Sequence, residues 1–348
     1  MRYMEPIILN TDYETIGIID DYKSFIWSTR YNTCGDFELS VEVNDKNLYL
    51  LKPDYYIIRE DDDNIGIIEE YEITTNENDE EILTVSGRFA SSILYRRIIE
   101  QQTQINDTVS NAIQNLIIDN ALSPVVKARK IANLKQNIIS LTERLEGQYF
   151  GENLLETIES ICQTYNLGFK TVFDENHNFV FELYQGIDRS YAQDINPHII
   201  FSNKYENLRS ANYKETYSEK VTDVLVGGEG DGDDRETLWV SKDNLTGLNR
   251  YEHYQDEKSV SSNDGYISDE EYFSQLKEEG MESMTGYTQA FNGVVDFSNI
   301  EYKKDIFMGD IAVVENTKWN KNINSRLIEI IESVDESGKY VITPTFGM

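Results

Sequence analysis

Gly35-Asp36-Phe37-Glu38-Leu39-Ser40-Val41-Glu42-Val43 alternates between polar and apolar residues. Phe37, Leu39, Val41 and Val43 therefore share one face of an extended chain, the pattern of a half-buried β-strand. The same chemistry recurs on its C-terminal side. Tyr55–Arg59 and Gly66–Ile73 flank the polar cluster Asp61-Asp62-Asp63-Asn64, which predicts a hairpin with a longer loop. A second polar turn, Thr75 to Glu80, leads into the apolar run Glu81–Gly87. Short strands with regularly spaced turns predict a small barrel or sandwich over residues 1–98. With 23 Tyr, 14 Phe, 3 Trp and only 5 Pro, composition also favours β-structure.

The period changes near residue 105. Asn106-Asp107 is expected to cap a helix carrying Val109, Ala112, Ile113, Leu116 and Ile117, with Pro124 just beyond its end. A second helix follows Gly151, with Leu154, Leu155, Ile158, Ile161, Cys162 and Tyr165 on one face and Gly168 after its last turn. Phe169–Phe173 and Phe179–Tyr184 then bracket a polar turn and read as a hairpin. Residues 99–205 are thus expected to form an inserted α/β unit.

Residues 206–285 are the most polar part and are expected to form a second inserted, mixed unit. Val221–Val226 and Thr237–Val240 read as strands around a glycine-rich run, Gly227–Arg235. Ser268-Asp269-Glu270-Glu271 is a capping box opening a helix to about Gly280. Strands return in residues 286–348 over Phe291–Phe297, Ile311–Val314, Arg326–Val334 and Tyr340–Pro344. The predicted fold class is α+β and β-rich, with two small β-barrel-like domains at the chain ends and the other two units inserted between them.

The 348 residues carry 63 acidic and 31 basic side chains, a net charge of −32. Such a chain repels phosphate, which argues against nucleic-acid capture and against docking on anionic membranes. No stretch approaches 18 apolar residues, so no membrane-spanning segment is expected. The start of the chain does not read as a secretory signal. Cys34 and Cys162 are the only cysteines, in no paired motif, which speaks against a disulfide framework or a thiolate zinc site. Cys162 lies on the apolar helical stripe and reads as a buried core thiol.

Residues that could carry chemistry are sparse. The run Gly227–Arg235 lacks the Lys and Ser/Thr of a phosphate loop and the spacing of a helix-loop-helix calcium loop. A loose calcium site at Asp231, Asp233 and Asp234 is the sharper reading of it, a mobile hairpin loop the plainer one. His177, His198 and His253 stand apart from one another, with no carboxylate at metal-ligand spacing. Ser274-Gln275-Leu276-Lys277 matches Ser-x-x-Lys without its companion motifs and reads as chance. Paired carboxylates for a glycosidase carry almost no signal in so acidic a chain. Lys127, Arg129, Lys130 and Lys135 form the one local inversion of charge, either a solvated face or a contact for an acidic neighbouring subunit. No catalytic residue, metal or cofactor is expected.

Near the carboxyl end, Tyr302, Asp305 and the run Met308-Gly309-Asp310-Ile311-Ala312-Val313-Val314 resemble a pattern of phage tail proteins: a tyrosine, an aspartate, then Leu-Gly-Asp-x-Val-x-Val. Met308 stands where the pattern has leucine. The closing Tyr340–Gly347, with Phe346 and Gly347, agrees with it, as do Gly151–Leu155, Tyr184–Arg189, Phe201-Ser202, Asn207-Leu208 and Val226–Gly230. At the other end, Ile26-Trp27 and Gly35, Phe37 and Leu39 resemble the family's opening strand and Gly-x-Phe-x-Leu. In order and spacing the chain resembles the siphovirus-type tail proteins, the baseplate hubs and amino-terminal hubs of tail-associated lysins. Only the 241–285 segment has no match there.

That resemblance implies a structural, non-enzymatic homotrimer in which two barrel-like domains per subunit alternate around a pseudo-sixfold ring. The ring adapts the hexameric tail tube, or a distal tail protein, to a tip or spike protein. Gly309-Asp310 is then a turn that launches a strand, with no catalytic role. The chain closes on Phe346-Gly347-Met348, so a hub without an appended hydrolase is expected. Its expected place is the tail or baseplate of a phage or phage-tail-like particle assembled in the bacterial cytoplasm, contractile or long-tailed. Three copies carry 3 × −32 = −96; lining a channel, part of that charge would let DNA pass without adhering. A host-glycan-binding tip protein, with tyrosines as sugar platforms, and a cell-wall-degrading tail enzyme are the alternatives.

Overall fold

A computed structural model describes residues 4–75, 79–262, 266–286, 288–295 and 300–347. The first part of the chain is built from β1 (Ile7–Leu9), β2 (Thr15–Ile18), β3 (Tyr22–Arg30), β4 (Asp36–Glu42), α1 (Asp45–Leu50), β5 (Tyr56–Arg59), β6 (Asp62–Ile67), β7 (Glu70–Thr75) and β8 (Glu81–Arg88). The alternation in β4 does what its residues dictate: Phe37, Leu39 and Val41 are buried, and Glu38 and Glu42 are exposed. β4 lies between β3 and β8, and β7 is the end strand beyond β8. Facing them is a four-stranded sheet in the order β2-β1-β5-β6. Phe25, Trp27, Leu39 and Val85 of the first layer share a core with Ile8, Leu50 and Ile57.

The middle of the chain comprises β9 (Thr103–Thr108), α2 (Val109–Ile117), β10 (Leu134–Ile138), β11 (Arg144–Tyr149), α3 (Leu154–Thr164), β12 (Gly168–Phe173) and β13 (Phe179–Tyr184). The apolar stripes of α2 and α3 are buried as their period predicts, and Cys162 sits fully inside. The caps differ from expectation by local hydrogen bonding. Thr108, not Asn106-Asp107, caps α2, because its hydroxyl accepts the Asn111 N–H while Asp107 accepts the Thr108 N–H. After α3 it is Asn166, at φ +54°, that takes the left-handed turn, and Gly168 already belongs to β12.

Next come β14 (Ile200–Ser202), β15 (Leu208–Thr216), β16 (Asp223–Gly227), β17 (Thr237–Ser241), β18 (Glu252–Asp256), α4 (Asp269–Glu282), β19 (Thr288–Val295), β20 (Ile311–Asn316), β21 (Lys321–Asp335) and β22 (Tyr340–Gly347). Ser268 caps α4 through the Glu271 N–H, as the capping box predicts, and the helix runs two residues past Gly280. The unmatched 241–285 segment is ordered by this helix. It covers one face of the β17-β16-β18 sheet and closes a small core of Val224, Val226, Val240, Tyr272 and Leu276. The strand expected over Phe291–Phe297 is β19 up to Val295; residues 296–299 lie outside the described residues.

Strands from both chain ends make one sheet, in the order β15-β19-β22-β21-β3-β4-β8-β7. The join is β21. Its fifteen residues pair with β20 over Lys321–Arg326 and with β3 over Glu329–Asp335. The unit around β20–β22 has its own core, including Phe201, Tyr302, Val314, Leu327 and Phe346.

The Asp61–Asn64 cluster corrects the sequence reading. The β5–β6 turn is tight, with Arg59 opposite Asp62, and Asp62 and Asn64 are buried inside β6. Polar residues serve in a strand here because Lys303 reaches Asp62 at 2.6 Å.

Candidate functional site

The residues of the carboxyl-terminal pattern converge on a buried polar junction. Gly309 turns at φ +90°, and a Cβ there would stand 2.1 Å from the Tyr31 ring. Gly186 is equally constrained, since its Cβ would lie 1.9 Å from the Gly309 carbonyl oxygen. This close approach places Asp310, 2% exposed, against the chain after β13. Its Oδ1 accepts the Ile187 N–H at 2.7 Å, and its Oδ2 accepts the Arg189 Nε–H at 2.8 Å and the Phe307 N–H at 3.1 Å. Ile311 then bridges to Asp188 as β20 begins. Every oxygen of Asp310 that faces the interior is occupied by a donor of its own chain, so the carboxylate holds two segments together.

Tyr31 ties a third segment in. Its hydroxyl donates to the Asn166 carbonyl at 2.9 Å and accepts the Gly186 N–H at 3.1 Å, and Arg326 stacks on its ring at 5.2 Å. Burial pushes the Tyr31 phenol above its ordinary value. The other pattern residues are packed or hydrogen-bonded within the chain. Tyr302 is buried, and Asp305 Oδ2 accepts the Glu301 N–H at 2.8 Å. Phe346 packs on Phe201 with ring centres 5.3 Å apart, and the Gly347 carbonyl accepts from Ser325 Oγ. At the other end Gly35 leaves no room for a side chain, because a Cβ would meet Ser28 O at 2.3 Å and Phe89 at 2.5 Å. Phe37 and Leu39 lie in the first core beside Trp27.

A second polar cluster, not evident in the sequence, joins the chain ends. Arg59 is buried against Trp27 and donates to both oxygens of Glu332, at 3.1 and 3.2 Å, and to Asp61 at 2.7 Å. Between this cluster and Asp310 lies a cavity of about 540 Å³, lined by Asp62, Lys170, Tyr184, Gly186 and Lys303. Only pairing of Arg59 with a carboxylate 273 residues away reveals its role.

A third feature is acidic. Glu152, Glu257, Glu279 and Glu282 surround a cavity of about 260 Å³ between α3, β11 and α4. Burial, reinforced by the neighbouring carboxylates, pushes Glu279 up to about 9 and Glu282 to about 7. Tyr149 Oη, Glu152 Oε2 and Glu282 Oε1 have no hydrogen-bond partner there.

The remaining candidates are dispersed. Asp231 pairs with Lys258, while Asp233 and Asp234 are exposed. The Gly227–Arg235 run is not a free hairpin: Arg235 donates to the Gly227 and Gly228 carbonyls, and Glu229 accepts from Ser261 and Ser262. His177 lies in the β12–β13 turn beside Tyr13, His198 contacts the Gln193 carbonyl, and His253 is exposed on β18. Ser274 donates to Glu146 at 2.5 Å, and Lys277 is exposed. Lys135 pairs with Asp174 and is accounted for apart from Lys127, Arg129 and Lys130. Among the described residues no group of His, Cys, Asp or Glu is arranged to hold a metal ion, and no helix is long and apolar enough to cross a membrane.

Fold and junction define a β-rich scaffold in which buried ion pairs and glycine contacts lock the two chain ends into one sheet, the class to which phage tail proteins belong. The chain belongs to the siphovirus ReqiPepy6 Gp37-like protein family, whose model matches residues 5–348. Solved structures that share its fold include three tail proteins. Prophage tail protein gp18 from Listeria monocytogenes EGD-e is 11% identical, with TM-score 0.55 over 99% of this chain and 94% of that one. The tail protein from Neisseria meningitidis MC58 is 11% identical, with TM-score 0.57 over 99% and 96%. The 43 kDa tail protein of prophage MuSo2 from Shewanella oneidensis is 12% identical, with TM-score 0.57 over 98% of each chain. None of the curated proteins compared by sequence matches the chain.

Proposed function

We propose that the chain is the hub of a phage or phage-like tail tip, a non-enzymatic ring of three copies that adapts the tail tube to the tip or spike. One observation carries the reading: a single sheet takes strands from both chain ends and, among the described residues, has β7 and β15 as its end strands. Open edges invite pairing with another chain. Joining β7 of one copy to β15 of the next in a head-to-tail manner closes a ring and leaves no edge. The division at residues 98, 205 and 285, with two ring domains and two inserted units, belongs to the same proposal.

The sheet has one apolar face, packed on the cores, and one polar face. Glu38 of β4, aligned with Ser86 of β8 and with Glu70 of β7 beyond it, lies on the polar side, as do Ser40, Thr84 and Glu72. In the ring this face lines the channel, and its carboxylates keep passing DNA from adhering. Electron-microscopy class averages of the purified chain test the reading. A three-lobed ring with a central hole supports it, and particles of single-subunit size at all concentrations oppose it.

A second reading, a saccharide-binding tip surface, is favoured by two aromatic rings of the β17-β16-β18 sheet, over which Arg250 and Arg235 lie at 4.8 and 5.8 Å. Leu225 is aligned with both Trp239 and Tyr254, and those two rings are about half exposed. Two strand spacings separate them, about 9.5 Å, a span that fits two consecutive sugar rings. Glycan-array binding that disappears in Trp239→Ala would favour this reading.

A further inference from the structure

The surface between the β8 and α3 segments inverts the charge of the molecule. Arg97 donates to the Arg129 carbonyl at 2.7 Å, Arg129 donates to the Ile98 carbonyl, and Ile98 bridges to Asn153. These contacts gather Arg96, Arg97, Lys127, Arg129 and Lys130 on one patch. Asp54 lies 3.7 Å from Arg96, and Glu100 takes Arg129. Among the described residues Arg97 forms no ion pair, and partial burial followed by the nearby Arg129 and Arg96 lowers its affinity for its proton. Among the described residues Lys127 and Lys130 have no carboxylate within ion-pair distance, in a chain with two acidic side chains for every basic one. Exposed apolar side chains adjoin these residues along the chain and through the Gly151 N–H to Ile99 carbonyl bond: Ile98 is 52% exposed, Phe150 56% and Val125 75%. Uncompensated like charges beside exposed apolar groups cost stability in an isolated subunit. They match the composition of an interface, with an aromatic and aliphatic centre and a charged rim.

We propose that this patch is a docking surface for the acidic surface of a second copy of the chain. Charge complementarity selects the occupant, because a subunit of net charge −32 presents negative surface to a neighbour. The patch cannot meet its own counterpart, since two cationic surfaces repel, so it meets a different part of the neighbour. Repeated head-to-tail around a rotation axis that closes, such a contact makes a ring; repeated across a two-fold axis, it makes a dimer with two such contacts. The inference rests on the ring reading above and supplies it with a contact outside the sheet edges.

The test is the mass of the full-length chain by sedimentation velocity over a concentration series, at low and at high salt. Lys127→Glu/Lys130→Glu changes two exposed side chains without ion-pair partners, so the fold is retained; Phe150→Asp probes the apolar centre independently, and circular dichroism checks both variants. The wild-type chain is expected to associate, more weakly at high salt. Each variant is expected to need at least tenfold more protein for the same association. Wild-type and variants assembling alike overturns the patch and leaves the ring standing. A wild-type chain that never assembles overturns both.

Discussion

Arg59 and Glu332, 273 residues apart in sequence, are joined by two hydrogen bonds of 3.1 and 3.2 Å inside the core, with Trp27 stacked on the guanidinium. The pair sits where β3 meets β21, the strand pairing that, among the described residues, joins the two ends of the sheet. Removing Glu332 leaves the buried guanidinium to Asp61, whose side chain is 46% exposed, so the loss is expected at the lower end of the about 3–5 kcal/mol of a broken buried pair. Glu332→Ala is therefore expected to lower the denaturant midpoint sharply. Arg59→Met with Glu332→Leu, which removes both charges, is expected to recover most of the loss.

Asp310 is predicted to be structural. Asp310→Asn keeps the shape but loses the charge-assisted bond to Arg189 and one acceptor for backbone N–H groups. The expected loss is about 1.5–3 kcal/mol, the range for a hydrogen bond to a charged group. Hydrogen exchange should localise the loss to 186–189 and 307–311. An Asp310→Asn chain of unchanged stability would remove the junction from the account.

Gly309→Ala is predicted to be worse than an ordinary surface change. The added carbon meets the Tyr31 ring at 2.1 Å at a φ of +90° that L-residues rarely adopt. Either Tyr31 leaves its bonds to Asn166 and Gly186 or the turn deforms. Thermal unfolding compared with Gly338→Ala, at a positive φ with open space around it, separates the steric cost from the backbone cost.

The acidic cavity beneath α4 predicts a pH dependence. Glu279 and Glu282 hold their protons in the folded chain up to about 9 and about 7, against an ordinary 4.5. Their contribution is therefore full below about 4.5 and is lost as pH rises through those folded values. Between pH 5 and 9 the packing of α4 on α3 and β11 is expected to weaken steadily. Hydrogen-exchange protection of α4, corrected for intrinsic rates, reads it. Glu279→Gln should flatten the profile and raise protection at pH 8; an unchanged profile would refute the assignment.

Much of this fold is written locally in the sequence. Phe37, Leu39 and Val41 announce their strand by alternation, Leu154–Cys162 their helix by period, and Ser268 its cap. What is not legible depends on partners distant in the chain. Asp62 reads as a turn residue until Lys303 is seen beside it, and nothing local marks Arg59 as buried until Glu332 is seen beside it. β18, Glu-His-Tyr-Gln-Asp, has no apolar alternation because its side chains are largely exposed, and it forms by pairing with β16. Asp310 was legible as part of a turn, while its hold on Ile187 and Arg189 was not.

The ring itself is tested most directly by joining its proposed edges. Thr74→Cys on β7 and Asn212→Cys on β15, in one chain that also carries Cys34→Ser, would be treated with a short bismaleimide; the remaining native thiol, Cys162, is fully buried. The account predicts products of one, two and three chains, ending at three, and none from either single variant beyond a trace. A chain that stays uncrosslinked, or a ladder that runs on without stopping at three, would contradict it.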